Sequence, residues 1–280
     1  MSQGAKRIEE AFGSELPIAG ARLAGKTALV SGAGTAGTVL GVGGATAILL
    51  AAQGAAVTLF DKDRARAETT AALIEELGGR SLIVVGDVTA AADCASAVRQ
   101  TVERFGGLDV LINNAAVVFG GEIDTITDEV WDTTVDVNMK SVMLLTRAAA
   151  AALGAAKGAV VNVASIAAQQ GFGALAYSAS KGGVISMTRD MAYTLGKKGV
   201  RVNCLVPGHL ATPMGGVHHA ERRQARVRST ILGVEGSAWD AAWAALFLSS
   251  PEARWITGTT LNVDAGSTML PSVRMLGANM

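Results

Sequence analysis

The sequence predicts an α/β fold in which a parallel sheet of about seven strands carries helices on both faces, a doubly wound arrangement. One observation behind this prediction is that short, nearly unbroken apolar runs alternate with longer segments that have helix signals. The other is that no internal repeat, low-complexity segment or linker divides the chain. A chain of 280 residues, 50% of them hydrophobic, is therefore expected to form a single domain over 25–280, preceded by an extension over 1–24.

Each predicted strand is an apolar run of about four to eight residues next to a turn or a helix signal. The first run, KTALV at 26–30, leads directly into a glycine-rich loop, and the fifth, GAVVNVAS at 158–165, ends on a serine. The predicted strands are 26–30, 56–60, 81–86, 108–114, 158–165, 200–207 and 259–264.

The predicted helices are recognised mainly by the residues at their ends. Glycines end the first three helices, at Gly54, Gly78 and Gly106, and Thr89 is predicted to cap the start of the third. The predicted helices are 44–55, 64–77, 90–105, 128–153, 176–195 and 238–249.

The bulk composition excludes several classes of function. The formal net charge is zero and the pI is near 6.8, so nothing indicates a nucleic-acid partner. Cys94 and Cys204 lack metal or redox spacing and are expected to be reduced thiols. Residues 1–24 lack the basic and apolar regions of a signal peptide, and no apolar run reaches the roughly 18 residues of a membrane helix. We therefore expect a cytoplasmic protein with no membrane partner.

The loop after the first strand, SGAGTAGTVLGVGG at 31–44, contains two glycine signatures. Gly32 to Gly37 spell G-x-G-x-x-G, and Gly41 to Gly43 spell a second G-x-G. In a doubly wound sheet, ligands bind beyond the carboxyl ends of the strands, and glycines let the backbone approach a pyrophosphate. The loop is therefore the predicted phosphate site of a dinucleotide.

The cost of glycine inside a helix decides which signature contacts the phosphate. If the helix began at Gly37, Gly41, Gly43 and Gly44 would all lie inside it, each at a cost of about 1 kcal/mol relative to alanine. A helix that begins between 40 and 44 places them in its first turn, where free amides can bind an anion. We therefore predict that residues 33–40 are irregular.

Asp61 closes the second predicted strand, 20 residues after Gly41. This is the spacing of the acid that binds the adenosine ribose hydroxyls, and a carboxylate there repels the 2′-phosphate of NADP. The predicted cofactor is therefore NAD. Lys62, Arg64 and Arg66 keep NADP open as an alternative, because nearby bases can bind that phosphate, and Asp61 could instead cap the next helix.

The segment YSASK places Tyr177 and Lys181 four residues apart, on one face of the predicted helix. A free tyrosine has a pKa near 10, and an adjacent ammonium is expected to lower it. Tyr177 could then exchange the proton of an alcohol during hydride transfer. Ser165, at the end of the fifth strand, could hold the substrate oxygen.

Taken together, these motifs resemble those of the short-chain dehydrogenase/reductase family, in its classical subgroup, over about Leu23 to Asp264. The fold implied by the resemblance is a Rossmann-type domain. The residues that carry the resemblance are the glycine loop, GDV at 86–88, NNAA at 113–116, VNM at 137–139, NVAS at 162–165, YSASK at 177–181, PGHLATPM at 207–214 and ITGTTLNVDAG at 256–266.

The resemblance implies a role for each matching position. Tyr177 would be the acid/base, Lys181 would lower its pKa and bind the nicotinamide ribose, and Ser165 would orient the substrate. Asn138 would hold a water in a proton relay through Lys181. The cofactor-binding residues implied are Gly32, Gly41, Val42, Gly43, Asp61, Asp87, Val88, Asn114, Tyr177, Lys181, Pro207, Gly208 and Thr212.

Two positions depart from the family pattern. Ala116 stands where the family usually has glycine, and an alanine with positive φ would be strained. The interval from Gly32 to Gly41 is five residues longer than usual, as in some members with a lengthened loop. The extra residues could close over the pyrophosphate or bulge into solvent.

The resulting hypothesis is an NAD-dependent enzyme that interconverts a secondary alcohol and a ketone. The alternatives are an NAD-binding regulatory protein without turnover, or a reductase of C=C or C=N bonds. Family members commonly form tetramers, and the helices at 128–153 and 176–198 would suit such interfaces, so a homotetramer (or homodimer) is expected.

A basic stretch at about 214–236 is expected to be a mobile lid over the substrate, with glycine hinges. Arg222 and Arg226 could hold an anionic substrate, but the favoured interpretation is a solvated face with Val227, Ile231 and Leu232 turned inward over a neutral substrate. His218 and His219 are adjacent, so no metal site is expected there.

Overall fold

The computed structural model describes residues 19–37, 39–215 and 220–270. Its main sheet has seven parallel strands in the order β3-β2-β1-β4-β5-β6-β9, which confirms the predicted doubly wound fold. The strands are β1 (Thr27–Ser31), β2 (Ala56–Asp61), β3 (Arg80–Val85), β4 (Val110–Asn113), β5 (Ala159–Val163), β6 (Arg201–Pro207), β7 (Leu210–Ala211), β8 (Gly236–Ser237) and β9 (Thr260–Val263). The short strands β7 and β8 pair only with each other.

The helices connect successive strands and run close to the predicted boundaries. They are α1 (Val42–Ala52), α2 (Arg64–Glu76), α3 (Ala91–Phe105), α4 (Asp128–Val135), α5 (Ser141–Ala156), α6 (Leu175–Gly196), α7 (Ala220–Arg228) and α8 (Ala238–Ser249). One face of the sheet packs against α1, α2 and α8, and the opposite face packs against α3, α5 and α6. The sheet is therefore buried on both sides, which explains its nearly continuous apolar strands.

The chain order reverses between β1 and β4, which lie side by side although β2 and β3 come between them in sequence. Connections on the two sides of this point run to opposite faces, so a crevice opens at the carboxyl ends of β1 and β4. The position of this crevice determines where the site must be sought.

The glycine loop has the predicted form. Helix α1 begins at Val42 with Gly41 as its N-cap, within the predicted window of 40–44. The described residues of 33–40 form no helix; Ala36 and Val39 make a single isolated bridge. The predicted start of the helix, which followed from the cost of interior glycines, is therefore confirmed.

Two helix details differ from the predictions. Thr89 does not cap α3: Ala90 is the N-cap, and the Thr89 hydroxyl donates instead to Asp87 at 2.7 Å. The long helix predicted at 128–153 is interrupted by a π-helical turn at Asp136–Lys140 and ends at Ala156.

Ala116 is not among the residues with positive φ, so the backbone strain considered for it is absent.

The helical segment Asp128–Ala156 is, by length and composition alone, apolar enough to cross a membrane, with a mean hydropathy of 1.2. It packs against α3 and β4 within the domain, as a helix covering the sheet does. Several features of the sequence lie outside the described residues: most of the 1–24 extension, the His218–His219 pair and part of the lid.

Candidate active site

A cavity of about 760 Å³ opens at the carboxyl edge of the sheet, a size typical of cofactor and ligand sites. Gly32 follows β1, Asp61 ends β2, and Asn114, Ser165 and Gly208 lie just beyond β4, β5 and β6. The predicted site residues that line the cavity are Gly32, Gly41, Val42, Gly43, Asp61, Asn114, Ser165, Tyr177, Lys181, Pro207, Gly208 and Thr212. The strand ends thus bring most of the predicted set together.

The phosphate cradle is built from backbone that only glycine permits. Gly32 has φ +62°, and its carbonyl oxygen accepts a hydrogen bond from the Asn114 amide at 2.9 Å. A Cβ at Gly43 would overlap both groups, so Gly43 is required for the close approach of α1 to this turn. The Asn114 side chain therefore helps to fix the conformation of the loop by donating to the Gly32 carbonyl.

The start of α1 suits an anion. Gly41 provides no side-chain cap, and the first turn carries no acidic residue. Gly41, Val42 and Gly43 all face the cavity. Backbone amides at such a helix start, together with the helix dipole, favour a phosphate. The residues present therefore fit the pyrophosphate of a dinucleotide.

Asp61 lines the same cavity, and two backbone amides hold its carboxylate. The Gly34 amide donates to Oδ2 at 2.8 Å, and the Asp63 amide donates to Oδ1 at 3.0 Å. The helix-capping role considered for Asp61 belongs instead to Asp63, which is the N-cap of α2 and accepts from the Arg66 amide. Arg66 also lines the cavity and pairs with Asp63, Nε to Oδ2, at 3.0 Å.

Tyr177 and Lys181 lie on one buried face of α6, as the four-residue spacing predicts. Tyr177 is 7% exposed and Lys181 is 2% exposed. The Lys181 Nζ donates to the Val163 carbonyl at 2.8 Å and lies 5.7 Å from the centre of the Tyr177 ring. The amine is thus held beneath the phenol by the end of β5.

The ionisation of this pair differs from the expectation that Lys181 lowers the pKa of Tyr177. Burial raises the pKa of Tyr177, and the hydrogen bond with Ser165 only partly opposes this effect. Burial also lowers the pKa of Lys181 to about 8. Both shifts have the same physical cause, because taking either group out of water penalises its charged form.

Asn138 lies within the π-helical turn between α4 and α5 and is fully buried. Its oxygen accepts from the Val117 amide at 2.8 Å, and its amide donates to the Val117 carbonyl at 2.9 Å and to the Ser180 hydroxyl at 3.1 Å. It therefore ties α6, one residue before Lys181, to the loop after β4. It is not part of the cavity lining.

Asp87 and Val88 are likewise absent from the cavity lining. The Asp87 carboxylate accepts from the amide and the hydroxyl of Thr89, and these hydrogen bonds lower its pKa. The role beside the adenine that the resemblance implies for Asp87 stays a prediction.

The comparisons with known proteins agree with this geometry. A family model described as enoyl-(acyl carrier protein) reductase matches residues 36–268. (+)-Borneol dehydrogenase 2 of Salvia officinalis is 35% identical over 286 residues, covering 96% of each chain. Trans-4-hydroxycyclohexanecarboxylate dehydrogenase of Sinomonas cyclohexanicum is 37% identical over 254 residues, covering 88% of this chain and 94% of that one.

Among solved structures, carveol dehydrogenase from Mycobacterium avium, in complex with NAD, matches with a TM-score of 0.83 at 29% identity. That match covers 89% of this chain and 100% of the other. This chain belongs to the short-chain dehydrogenase/reductase family. It is therefore an oxidoreductase of a family that uses nicotinamide cofactors.

The substrate end of this short-chain dehydrogenase/reductase contains an aromatic row that the sequence analysis missed. Phe172 lies 5.8 Å from Tyr177 and 6.2 Å from His209 between ring centres, and it stacks on His209 at 15°. Burial, with the nearby charge of Arg226, lowers the pKa of His209 and favours the neutral imidazole. His209 directly follows the predicted Gly208, which is the signal that could have found it.

The basic stretch fits the predicted solvated face only in part: Arg222, Arg223 and Arg228 are exposed and Val227 is half-buried, but other residues differ from the prediction. Arg226 is only 6% exposed, and its Nε and Nη2 donate to Glu235 Oε1 at 2.8 and 2.6 Å. Ile231 and Leu232 are 46% and 71% exposed, so they are not turned inward. Glu235 is the residue that the sequence analysis did not weigh, and its carboxylate draws Arg226 inward. Helix α7 still borders the cavity, through Arg222 and Arg226 among others.

Proposed function

We propose that this chain is an NAD-dependent dehydrogenase that interconverts a neutral secondary alcohol and its ketone. The observation that carries the proposal is that a single cavity joins the α1 cradle and Asp61 to Ser165, Tyr177 and Lys181. A dinucleotide bound across the crevice would reach from the first group to the second. Bound NAD supplies the acceptor or donor of the hydride.

The protein's own residues would control the substrate oxygen and its proton. Ser165 lies close enough to Tyr177 to lower the pKa of its phenol, so an alcohol oxygen placed between them would meet two hydroxyl partners. During oxidation the alcohol proton would move to Tyr177 in its phenolate form, and during reduction the Tyr177 phenol would give the proton back. Lys181, with a pKa lowered to about 8, can take up or release a proton near neutral pH beneath the phenol.

Asn138 supports this arrangement by fixing the position of α6. Its side chain bonds to Val117 and Ser180, and Ser180 directly precedes Lys181. The role in a proton relay, implied by the resemblance, stays a proposal.

Asp61 supports the choice of NAD. Its carboxylate lies at the end of β2, where the adenosine ribose is expected, and a second negative charge from a 2′-phosphate would be repelled. NADP is the alternative to be tested, because the guanidinium of Arg66 lies on the same wall and could pair with the 2′-phosphate.

Charge and lining support a neutral substrate. The guanidinium of Arg226 is already paired with Glu235, and the wall near the catalytic residues is mainly apolar. These apolar residues are Val118, Ile166, Phe172, Leu210 and Met214. The similar proteins are named for borneol, carveol and trans-4-hydroxycyclohexanecarboxylate, and the last of these carries a carboxylate. Arg222, exposed on the cavity wall, is where such a group would bind.

The test is NADH and NADPH formation with a panel of paired neutral and carboxylated cyclic alcohols. We expect turnover with NAD and a neutral alcohol. A carboxylated partner preferred by tenfold or more, with the advantage lost in Arg222→Ala, would refute the neutral-substrate assignment. Binding of NADH without turnover of any alcohol or ketone would favour a regulatory protein.

A second candidate is a reductase of C=C bonds, which the description of the matching family model favours. Analysis of the products formed from α,β-unsaturated ketones and NADH separates the two candidates. An allylic alcohol as product supports our proposal, and a saturated ketone supports the second candidate.

The assembly and location are also proposals. An apolar window of 18 residues within the segment over α4 and α5 is only 39% buried, which supports a homotetramer or homodimer formed through its exposed face. Light scattering on the purified protein tests this. We keep the cytoplasm as the proposed location.

A further inference from the structure

The first part of the lengthened glycine loop packs against the domain and does not bulge into solvent. Ala33 and Thr35 are 0% and 2% exposed, although they belong to the irregular segment. The Thr35 amide donates to the Arg66 carbonyl at 3.0 Å, which joins the loop to the first turn of α2. The start of the loop is therefore attached to the helix that follows Asp61.

A pair of buried hydroxyls secures this attachment. Thr35 Oγ1 and Thr70 Oγ1 are 2.9 Å apart, and the Thr70 hydroxyl is 2.8 Å from the carbonyl of Ala33. We call this pair the Thr35–Thr70 clasp. Its contacts on the loop are at Ala33 and Thr35, so it holds the chain on both sides of Gly34.

The residue held between these contacts is the one that binds the cofactor-selecting acid. The Gly34 amide donates to Asp61 Oδ2 at 2.8 Å. A Cβ at Gly34 would lie 2.6 Å from Arg66 Cβ and 2.9 Å from Asp61 Oδ2, so this approach requires glycine. The clasp therefore sets the direction of the Gly34 amide, and the amide fixes the Asp61 carboxylate.

We propose that the Thr35–Thr70 clasp is a positioning device for cofactor selection, which holds Asp61 through Gly34 in the orientation that accepts a ribose diol and excludes a 2′-phosphate. This inference rests on the proposed use of NAD. A carboxylate offers about four lone-pair sites. The amides of Gly34 and Asp63 occupy one on each oxygen, which leaves one on each oxygen for two vicinal hydroxyls.

The same geometry explains why the fixed orientation matters for selectivity. Arg66, whose side chain is 57% exposed, borders the cavity beside Asp61. If the Asp61 carboxylate could rotate away, a 2′-phosphate would find this guanidinium in place of a negative charge. The clasp therefore acts against NADPH as well as in favour of NADH.

The test compares Thr35→Val and Thr70→Val with the control Thr69→Val. Each change removes one hydroxyl at nearly constant volume, and the Thr69 hydroxyl bonds to the Ala65 carbonyl on the exposed side of α2. Dissociation constants for NADH and NADPH are measured by fluorescence titration, without turnover. We expect the NADH preference to fall about tenfold in both clasp variants, the size of effect expected from losing buried hydrogen bonds, and to stay within about twofold in the control.

Two further variants keep the inference testable if a valine variant folds poorly. Thr70→Ser retains the hydroxyl and should keep the wild-type preference for NADH over NADPH. Gly34→Ala keeps both hydroxyls but displaces the amide, and it should lower the preference as the clasp variants do.

The outcomes separate the inference from the function on which it rests. A wild-type protein that prefers NADPH, or binds neither nucleotide, overturns the proposed cofactor and this inference with it. A wild-type preference for NADH that both clasp variants retain overturns the inference alone. If the clasp variants bind NADH and NADPH more weakly by the same factor, the inference alone is also overturned. The clasp would then stabilise the loop without contributing to the choice between the two nucleotides.

Discussion

Replacing Tyr177 by phenylalanine removes one hydroxyl from the centre of the proposed site and leaves the ring. The ring contacts with Phe172, at 5.8 Å, and with the Lys181 amine, at 5.7 Å, do not require that hydroxyl. The Tyr177 side chain is 7% exposed, and its hydroxyl interacts with Ser165. The change therefore tests proton transfer with little disturbance of packing.

The magnitudes of the two effects differ enough to be separated. General acid–base catalysis contributes about 10²–10⁴-fold, or about 3–5 kcal/mol in the activation barrier. Loss of one hydrogen bond costs about 1 kcal/mol of folding stability, which lowers Tm by roughly 2–4 °C in a protein of this size. We therefore expect kcat to fall at least about 100-fold in a protein that remains folded.

The assay measures kcat with saturating NAD and alcohol, alongside the dissociation constant for NADH, which should be nearly unchanged. The chain has two tyrosines, and the other one, Tyr193, is 70% exposed on the same helix, so Tyr193→Phe is the matched control. A Tyr177→Phe enzyme with more than a third of wild-type kcat would remove Tyr177 from the mechanism.

The pH dependence of the wild-type enzyme follows from the same pair. Oxidation requires the site to accept a proton, so its rate should rise with pH as Lys181, with a pKa of about 8, loses its own. Reduction requires the protonated pair and should fall over the same range. An oxidation rate that declines between about pH 7 and pH 9 would contradict this assignment.

The remaining predictions concern the lid and the thiols. Glu235→Gln removes the charge that holds the buried guanidinium of Arg226, so we expect a local destabilisation of about 3 kcal/mol, detected as faster proteolytic cleavage near α7 than in wild type or in Glu221→Gln. Unchanged cleavage would mean that the ion pair does not hold the lid. Burial raises the pKa values of Cys94 and Cys204 to about 11, so a thiol reagent should modify neither in the native protein and both after denaturation. Rapid labelling of the native protein would contradict the buried placement.

The fold was predictable because its signals are local. An apolar run reports a strand buried on both faces, and a glycine reports where a helix stops or starts. The start of α1 at Val42 followed from helix propensity alone, since the alternative placed three glycines inside the helix. The motifs at strand ends were predictable for a related reason: a parallel sheet gathers its carboxyl ends at one edge.

The features that the sequence did not reveal depend on partners distant in the chain. The π-helical turn at Asn138 has no compositional signature, because its side chain is held by Val117 and Ser180, from other elements. Threonine is a residue type that often caps the start of a helix, but the Thr89 hydroxyl donates to Asp87 instead. The Thr35–Thr70 clasp joins residues 35 positions apart, which no local pattern can indicate.

Asp61 and Arg226 show why the partner of a charged residue decides what that residue can do. Both line the cavity, and the sequence offers both as recognition groups. The partners of Asp61 are neutral backbone amides, which orient the carboxylate and leave its charge and half of its acceptor sites for a ligand. The partner of Arg226 is the carboxylate of Glu235, which opposes its charge and occupies two of its donors, although Glu235 also pairs with the exposed Arg223 at 2.9 Å. An ionised ligand entering this cavity therefore meets the field of Asp61 but little from Arg226, and the charge preference of the substrate end falls to the exposed guanidinium of Arg222 and the neutral imidazole of His209.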